Sequence, residues 1–335
     1  MSRTKVGILA GGVSSEHEIS VVSAGSLLSA IDRTRFEPIL IGITKDGRWV
    51  STPHDQTFEI KNGILPEIKA GIVKSSGDLL DSVDVIFPML HGPFGEDGTI
   101  QGLCEIAGVP YVGSGVLASA VAMDKSFAKP IFASHGLSVA PGVVVTAANR
   151  SSTDFSGLKY PLFVKPARSG SSRGTSKVKN EASLQAAIDE ALKFDSKVMV
   201  EEGIIGREIE CAVLQTSDGV KASPLGEIKV DGKYEFYDFE AKYFEGGSSL
   251  VSPSDLSPDV VQSIQDAAIK AFNALGCSGL ARVDFFYTGK EIVINEINTM
   301  PGFTSTSVYP KLMKQAGIDY KDLISILIEG AAVKN

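Results

Sequence analysis

Residues 281–304, ARVDFFYTGKEIVINEINTMPGFT, decide the fold of this chain. Two apolar runs rich in β-branched and aromatic residues flank a short polar break, and polar residues recur within them at strand spacing. Side chains alternate faces along a strand, so Arg282 and Asp284 share one face of the first run, and Val283 and Phe285 share the other. In the second run Ile292, Ile294, Glu296 and Asn298 fall on one face. A three-residue turn at Thr288–Lys290, around Gly289, sets Arg282 opposite Glu296 with Asp284 diagonal to it. An aspartate, a glutamate and an asparagine are thereby gathered beside an arginine. These hard oxygen donors suit Mg2+ held through carboxylates and the phosphates of a nucleotide. The competing reading is a solvated face on an edge hairpin. Against it stands the Pro301-Gly302 turn that follows the three donors directly.

At 335 residues the chain exceeds what one hydrophobic core usually supports, so two or three domains are expected. A hydrophobic fraction of 43% is ample for burial, and 34 glycines point to the many tight loops of an α/β protein. The net charge is −8 and no Lys/Arg cluster forms a basic tail, which excludes nucleic acid as an expected partner. Cys104, Cys211 and Cys277 are isolated and odd in number, as free thiols in a reducing cytoplasm would be. The start, MSRTKVGILAGG, resembles a leader only superficially: its apolar stretch is short, and Glu16, His17 and Glu18 follow at once. No run approaches the ~18 apolar residues of a membrane helix, so membrane insertion is not expected.

The first third alternates apolar runs with helical patterns. Lys5–Ala10, Glu37–Thr44 and Val83–Leu90 read as buried strands, with helices at Ile19–Ile31 and Thr99–Ala107, the pattern of a parallel sheet covered by helices. Val116–His135 reads as one helix containing Met123-Asp124-Lys125. A second unit has strands near Gly142–Val145, Leu162–Lys165, Thr175–Val178 and Val198–Glu201, and a helix at Glu181–Lys193. The last part has strands near Glu208–Gln215 and Ala222–Lys229, a polar, aromatic loop at Gly232–Ser252, a helix at Pro258–Leu275, the opening hairpin and a final helix at Tyr320–Ala332. Domain limits are expected near residues 122 and 201, giving units 1–121, 122–200 and 201–335.

Several other stretches carry chemistry. Gly11-Gly12-Val13-Ser14-Ser15-Glu16-His17-Glu18 follows a strand and opens a helix, but it lacks the third glycine of a dinucleotide fingerprint, which disfavours NAD. Ser15 and Glu18 fit a capping box, leaving Glu16 in the first turn above the carboxyl edge of the sheet, where α/β ligands bind. The loop after Lys165, with Ser171 and Ser172 among its small residues, can approach phosphate oxygens closely, and Lys165 supplies a cation at a strand end. A flexible Ser/Gly linker is the plainer reading of that loop, as a solvated lysine is of Lys125. Glu201-Glu202-Gly203-Ile204 is either a surface turn or a crossover able to hydrogen-bond an adenine or ribose. Glu240-Ala241-Lys242-Tyr243 sits in a loop of roughly twenty residues, long enough for an active-site lid. His91 lies just past a strand end, and neither the histidines nor the cysteines have the spacing of a zinc site.

Taken together, GGVSSEHEIS, HGPFGEDGTIQG, GSGVLASAVAMDK, FVKPARSGSSRG, YDFEAKY, ARVDFF and NEINTMPGFTSTS resemble the D-alanine–D-alanine ligases of the ATP-grasp superfamily, in that family's order and approximate spacing from Gly11 to Ser307. The resemblance implies a three-domain ATP-grasp architecture of α/β and α+β parts: an N-terminal parallel α/β domain, with nucleotide held between the sheets of the other two. It implies ATP-dependent joining of two D-alanines through an acyl phosphate, for peptidoglycan precursor synthesis. Lys125, Lys165 and Ser172 would contact the phosphates, Lys242 the terminal ones; Glu201, Glu202 and Ile204 would hold the adenine and Glu208 the ribose. Asp284, Glu296 and Asn298 match the ligands of two Mg2+ (or Mn2+), with Asn295 beside the nucleotide. Arg282 and the amide of Gly302 match the oxyanion site, Ser307 and Val308 the carboxylate site of the second substrate, and Glu16 the ammonium of the first. Ser171 and Tyr243 would link to Glu16 and close the lid, with His91 in the substrate pocket. A homodimer belongs to the same implication, and a monovalent-cation requirement is left open. Tyrosine at 243 favours an amine nucleophile, since relatives that use D-lactate commonly change this position. Val308, where leucine is frequent, and Arg173, which interrupts the Gly-Ser loop, are the departures from the pattern. The rivals are another ATP-grasp carboxylate–amine ligase, a D-alanine–D-lactate ligase and a non-catalytic nucleotide-binding regulator.

Overall fold

The computed structural model describes residues 3–51, 58, 65–68, 71–168, 170, 173–230 and 248–332. Its first sheet contains β1 (Thr4–Gly11), β2 (Phe36–Ile43), β3 (Trp49–Ser51), β4 (Ile72–Val73) and β5 (Val85–Pro88), in the order β4-β3-β2-β1-β5. β1 pairs in parallel with β2 and β5, while β3 and β4 form an antiparallel edge. Helices cover both faces, so the central strand is apolar throughout. Val6, Ile8 and Ala10 pack with Val21, Ala24 and Leu27 of the helix His17–Ala30. Leu9 packs with Ile100 and Cys104 of the helix Thr99–Ala107 on the opposite side. Gly11 ends β1 at φ +95°, and a Cβ there would lie 2.2 Å from the Ile43 carbonyl oxygen, so only glycine lets the chain turn away.

The stretch 116–135 is not one helix. Helices Val116–Met123 and Lys125–Ser134 meet at Asp124, which adopts extended angles (φ −93°, ψ 98°) and accepts a hydrogen bond from the Ser126 N–H at 3.0 Å. An aspartate that can cap its own backbone competes with helix continuation, and here capping wins. The domain limit expected near residue 122 falls just before this break. The chain beyond it, through Phe132 and Leu137, still packs into the core of the largest sheet.

The remaining strands form two sheets. β7 (Gly142–Thr146), β8 (Leu162–Pro166), β9 (Ser176–Val178) and β10 (Lys197–Glu202) form an antiparallel sheet in the order β7-β10-β8-β9, backed by the helix Leu184–Ala191. The limit expected near residue 201 falls inside β10. The six-stranded sheet runs β13-β12-β11-β14-β15-β6, from β6 (Ser138–Val139), β11 (Arg207–Thr216), β12 (Gly219–Val230), β13 (Ser248–Val251), β14 (Leu280–Tyr287) and β15 (Ile292–Asn298). β13 occupies the end of the stretch read from sequence as a loop; residues 232–247 of that stretch lie outside the described residues. The helix Pro258–Ala274 covers one face of this sheet. The helix Val308–Gln315, which sequence patterning did not single out, and the helix Tyr320–Ala332 share a core with β1 and β5. The first and third sheets are thereby joined through one apolar interior.

The opening hairpin departs from its expected register. The turn has four residues, closed by the Thr288 N–H donating to the Glu291 carbonyl at 3.1 Å. A bulge then inserts Asn295, so Asp284 faces Glu296 and Arg282 faces Asn298. The bulge also overturns the expected shared face of the second strand. Ile294 and Ile297, with Ile292 beside them, enter the apolar core, while Asn295, Glu296 and Asn298 turn to the opposite side.

Candidate active site

A cleft of about 1490 Å³ opens between the four-stranded and six-stranded sheets and runs to the carboxyl edge of the first. Among the described residues it brings together Glu16, His91, Lys125, Lys165, Glu201, Glu202, Ile204, Glu208, Arg282, Asp284, Asn295, Glu296, Asn298, Gly302, Ser307 and Val308. Ser171, Ser172, Lys242 and Tyr243 lie outside the described residues.

Adjacent parallel strands β1 and β5 deliver Glu16 and His91 to one end. Glu16, not Ser15, is the N-cap of its helix, and its side chain makes no capping bond; Glu18 pairs with Lys45, so the expected capping box does not form. Glu16 lines the cleft. Gly92 crosses beside it at φ +73°, where a Cβ would lie 2.4 Å from Glu16 Oε2. His91 is buried with Nδ1 3.2 Å from the Met300 carbonyl and Nε2 3.0 Å from Ser23 Oγ, and burial lowers its pKa. One neutral tautomer satisfies both contacts: Nδ1–H donates to Met300 and Nε2 accepts from Ser23. His17 is structural, bridging the Gly12 carbonyl and the Ile68 N–H at 2.7 and 3.0 Å.

Glu96 was not singled out from the sequence. Its Oε1 accepts from the Gly92 N–H at 2.8 Å, and burial together with the charge of Glu16 pushes its pKa up to about 8. The raised value means the native state holds this proton more tightly than the unfolded chain does. The associated stability is complete below pH 4.5 and is lost as pH rises through about 8. Glu96→Gln keeps the acceptor and cannot ionise. Its melting temperature is expected to fall less than that of the parent between pH 5 and pH 9 (about the window of the shift), and parallel melting profiles would contradict the assignment.

Cations and carboxylates alternate along the middle of the cleft. Lys125 Nζ is 3.0 Å from Glu296 Oε2, and although burial works against its charge, Glu296 raises its pKa. Lys165, next to last in β8, lies 2.8 Å from Glu201 Oε2 and donates to Asn295 Oδ1 at 3.2 Å. Lys129 pairs with the other oxygen of Glu201. Burial opposes ionisation of Glu201, but the two lysines outweigh it and hold its pKa at about 2; burial lowers Lys129 to about 8. The side chain of Glu201 is thus committed to lysines. Glu202 accepts from the Lys159 N–H at 3.0 Å. Lys129 also escaped the sequence reading, although its position four residues after Lys125 puts both on one helix face.

Arg282 donates from Nε and Nη2 to Asp284 at 2.7 and 2.8 Å, and Asn298 Nδ2 donates to Asp284 at 3.0 Å. Nε of Arg282 is also 3.0 Å from Oε2 of Glu210, a third overlooked residue, signalled by its strand spacing from Glu208. The loop carrying Gly302 is pinned from both sides. Phe303 is fully buried, 5.4 Å from the Phe87 ring and 5.6 Å from that of Tyr320, and the Ser305 N–H donates to Ser26 Oγ at 3.1 Å. Ser307 Oγ accepts from the Thr304 N–H at 3.1 Å at the N-cap of the helix Val308–Gln315.

A nucleotide-sized cleft between two largely antiparallel sheets, with lysines paired to carboxylates inside it, defines an ATP-grasp ligase. Models of the D-ala D-ala ligase N-terminus and C-terminus match residues 5–114 and 131–329. The chain belongs to the D-alanine–D-alanine ligase family. It is 48% identical over 360 aligned residues to a D-alanine–D-alanine ligase of Mycobacterium sp. (strain KMS), covering 99% of this chain and 97% of the relative. With the enzyme of Mycolicibacterium smegmatis it shares 47% over 361 aligned residues, covering 99% and 96%. Among solved structures it superposes on the VanG D-Ala:D-Ser ligase from Enterococcus faecalis with a TM-score of 0.82 at 36% identity, covering 99% of this chain and 100% of that one. It superposes on the ATP complex of D-alanine–D-alanine ligase from Bacillus anthracis with a TM-score of 0.78 at 26% identity, covering 98% and 97%.

Proposed function

We propose that the chain joins two D-alanine molecules into D-alanyl-D-alanine, a peptidoglycan building block, with ATP as the driving substrate. The observation that carries this reading is one cleft that holds Glu16, the lysine–carboxylate lattice and Arg282 together. A carboxylate is a poor electrophile, so ATP first converts that of one D-alanine into an acyl phosphate. Lys125 and Lys165 stand as fixed cations for the phosphates, with Ser172 and Lys242 as further contacts. Glu201 through Ile204 border the adenine and Glu208 the ribose, the side chain of Glu201 acting by aiming Lys165. Glu16 takes the ammonium of the first D-alanine, with His91 in the same pocket. Ser307 and Val308 border the carboxylate of the second.

Attack by the second amine on the acyl phosphate creates a tetrahedral oxyanion, for which Arg282 and the Gly302 amide are the donors; its collapse breaks the bond to the phosphate oxygen, the amine gives up a proton, and the dipeptide and inorganic phosphate result. Ser171 and Tyr243 join the closing loop to Glu16, and closure keeps water from the acyl phosphate. Two Mg2+ or Mn2+ fit the donor chemistry of Asp284, Glu296 and Asn298, two carboxylates and a carboxamide oxygen on one side of the sheet. When bound, the ions would neutralise charge on the transferring phosphoryl group. The reading extends to a cytoplasmic homodimer; no described helix is long and apolar enough to cross a membrane.

Phosphate release from ATP tests the function. It is expected to require D-alanine, with no replacement by L-alanine, and the product should be the dipeptide. Release that ignores the configuration of alanine contradicts the proposal. D-Serine or D-lactate accepted as readily as D-alanine as second substrate near neutral pH would overturn its specificity.

A further inference from the structure

One buried carboxylate of the cleft has no part in that scheme. Glu210 on β11 sits directly across from Asp284 on β14, and Asp284 directly across from Glu296 on β15. Three acidic side chains therefore form a row across three adjacent strands, about 4.8 Å apart in the ladder direction. Like charges at neighbouring cross-strand positions repel, so such a row requires cations within it. Lys125 serves Glu296, and Arg282 lies between the other two, its Nε 2.7 Å from Asp284 Oδ1 and 3.0 Å from Glu210 Oε2. The side chain of Glu210 is 5% exposed, and its strand is paired on both sides, to β12 and β14.

We propose that Glu210 is a positioning residue that holds Arg282 at the oxyanion position while the carboxylate of Asp284 serves a divalent cation. The inference builds on the reading of Asp284 as a metal ligand. Asp284 now gives both its oxygens to the arginine fork, so a metal ion would have to share the same carboxylate with Arg282. An arginine with no other anion would follow Asp284 and compete with the metal. Glu210 supplies the second anion from a strand interior, beside the same Nε. Arg282 is thus retained where charge develops on the reacting carbonyl, and Asp284 is released to the ion.

The experiment is a double-mutant cycle of Glu210→Gln and Arg282→Ala in the full chain. It is read by Mn2+ binding in the presence of ADP, followed by electron paramagnetic resonance without turnover, and by steady-state kinetics. Glu210→Gln is expected to weaken Mn2+ binding several-fold and to lower kcat by roughly tenfold or more with little change in the KM for ATP. Both effects should vanish in the Arg282→Ala background, because Glu210 acts through that side chain. Unchanged Mn2+ binding and kcat in Glu210→Gln would overturn the proposal. So would losses that persist undiminished without Arg282, which would make Glu210 itself a metal ligand. Glu210→Asp, which retains the charge but shortens its reach, should show the same pattern in weaker form and replaces the glutamine variant in the cycle if that variant does not fold. Asp284→Asn separates the two readings: if it leaves Mn2+ affinity intact, the underlying metal assignment fails.

Discussion

Replacing Arg282 with alanine is expected to lower kcat by roughly 10²–10³-fold while leaving the KM for ATP nearly unchanged. The guanidinium contacts Asp284 and Glu210, whereas Lys165 contacts Glu201 and Asn295, so the lysine proposed for the nucleotide keeps its partners. A donor aimed at charge that appears only in the transition state contributes about 3–4 kcal/mol to the chemical step and little to ground-state binding. Steady-state kinetics with ATP and D-alanine varied separately distinguish the two. Equal losses in kcat and in affinity for ATP would place Arg282 on the nucleotide. Its removal also frees Asp284 from the fork, so Mn2+ binding with ADP should not weaken.

The second large effect is expected at Glu201, whose two oxygens serve Lys129 and Lys165 in an almost dry setting. Glu201→Ala leaves two cations without their shared anion. Breaking a buried ion pair from one side typically costs about 3–5 kcal/mol, a melting temperature lower by about 10 °C in a chain of this size. The pH dependence is specific. The pKa of Glu201 is held at about 2, below its ordinary 4.5, so its contribution is present above pH 4.5 and lost as pH falls through 2. Lys129, already lowered to about 8 by burial, no longer needs an anion above that pH. The stability gap between parent and variant should therefore be widest between these limits and narrow on either side. Thermal melts across the range measure it, and a gap independent of pH would show that the loss comes from packing alone. The KM for ATP should rise as well, because Lys165 loses the carboxylate that aims it.

Much of this site could be read from residue order. Strand alternation put Arg282 and Asp284 on one face, and the Arg282–Asp284 pair follows from it, whereas the Asn298–Asp284 contact depends on the shifted register. The motifs from Gly11 to Ser307 named residues that, wherever described, line the one cleft. Turn length and the bulge at Asn295 escaped, and together they shift the register so that Asp284, not Arg282, faces Glu296. The capping box failed because the helix takes Glu16, one residue later than Ser15, as its N-cap, and Glu18 finds Lys45 on another segment. Lys129, Glu96 and Glu210 went unnoticed because a lysine or glutamate in sequence carries no mark of its burial.

By itself the sequence determined the periodicities, the order of the chemical groups and hence the kind of fold and reaction, because these depend on spacing along the chain. Which carboxylate each cation meets was decided only in three dimensions. Register, bulges and the packing of Lys125 and Lys129 against strands more than seventy residues away set those pairs. Burial then gave them their strength, since the interior that strips water from a charge is assembled from every part of the chain at once.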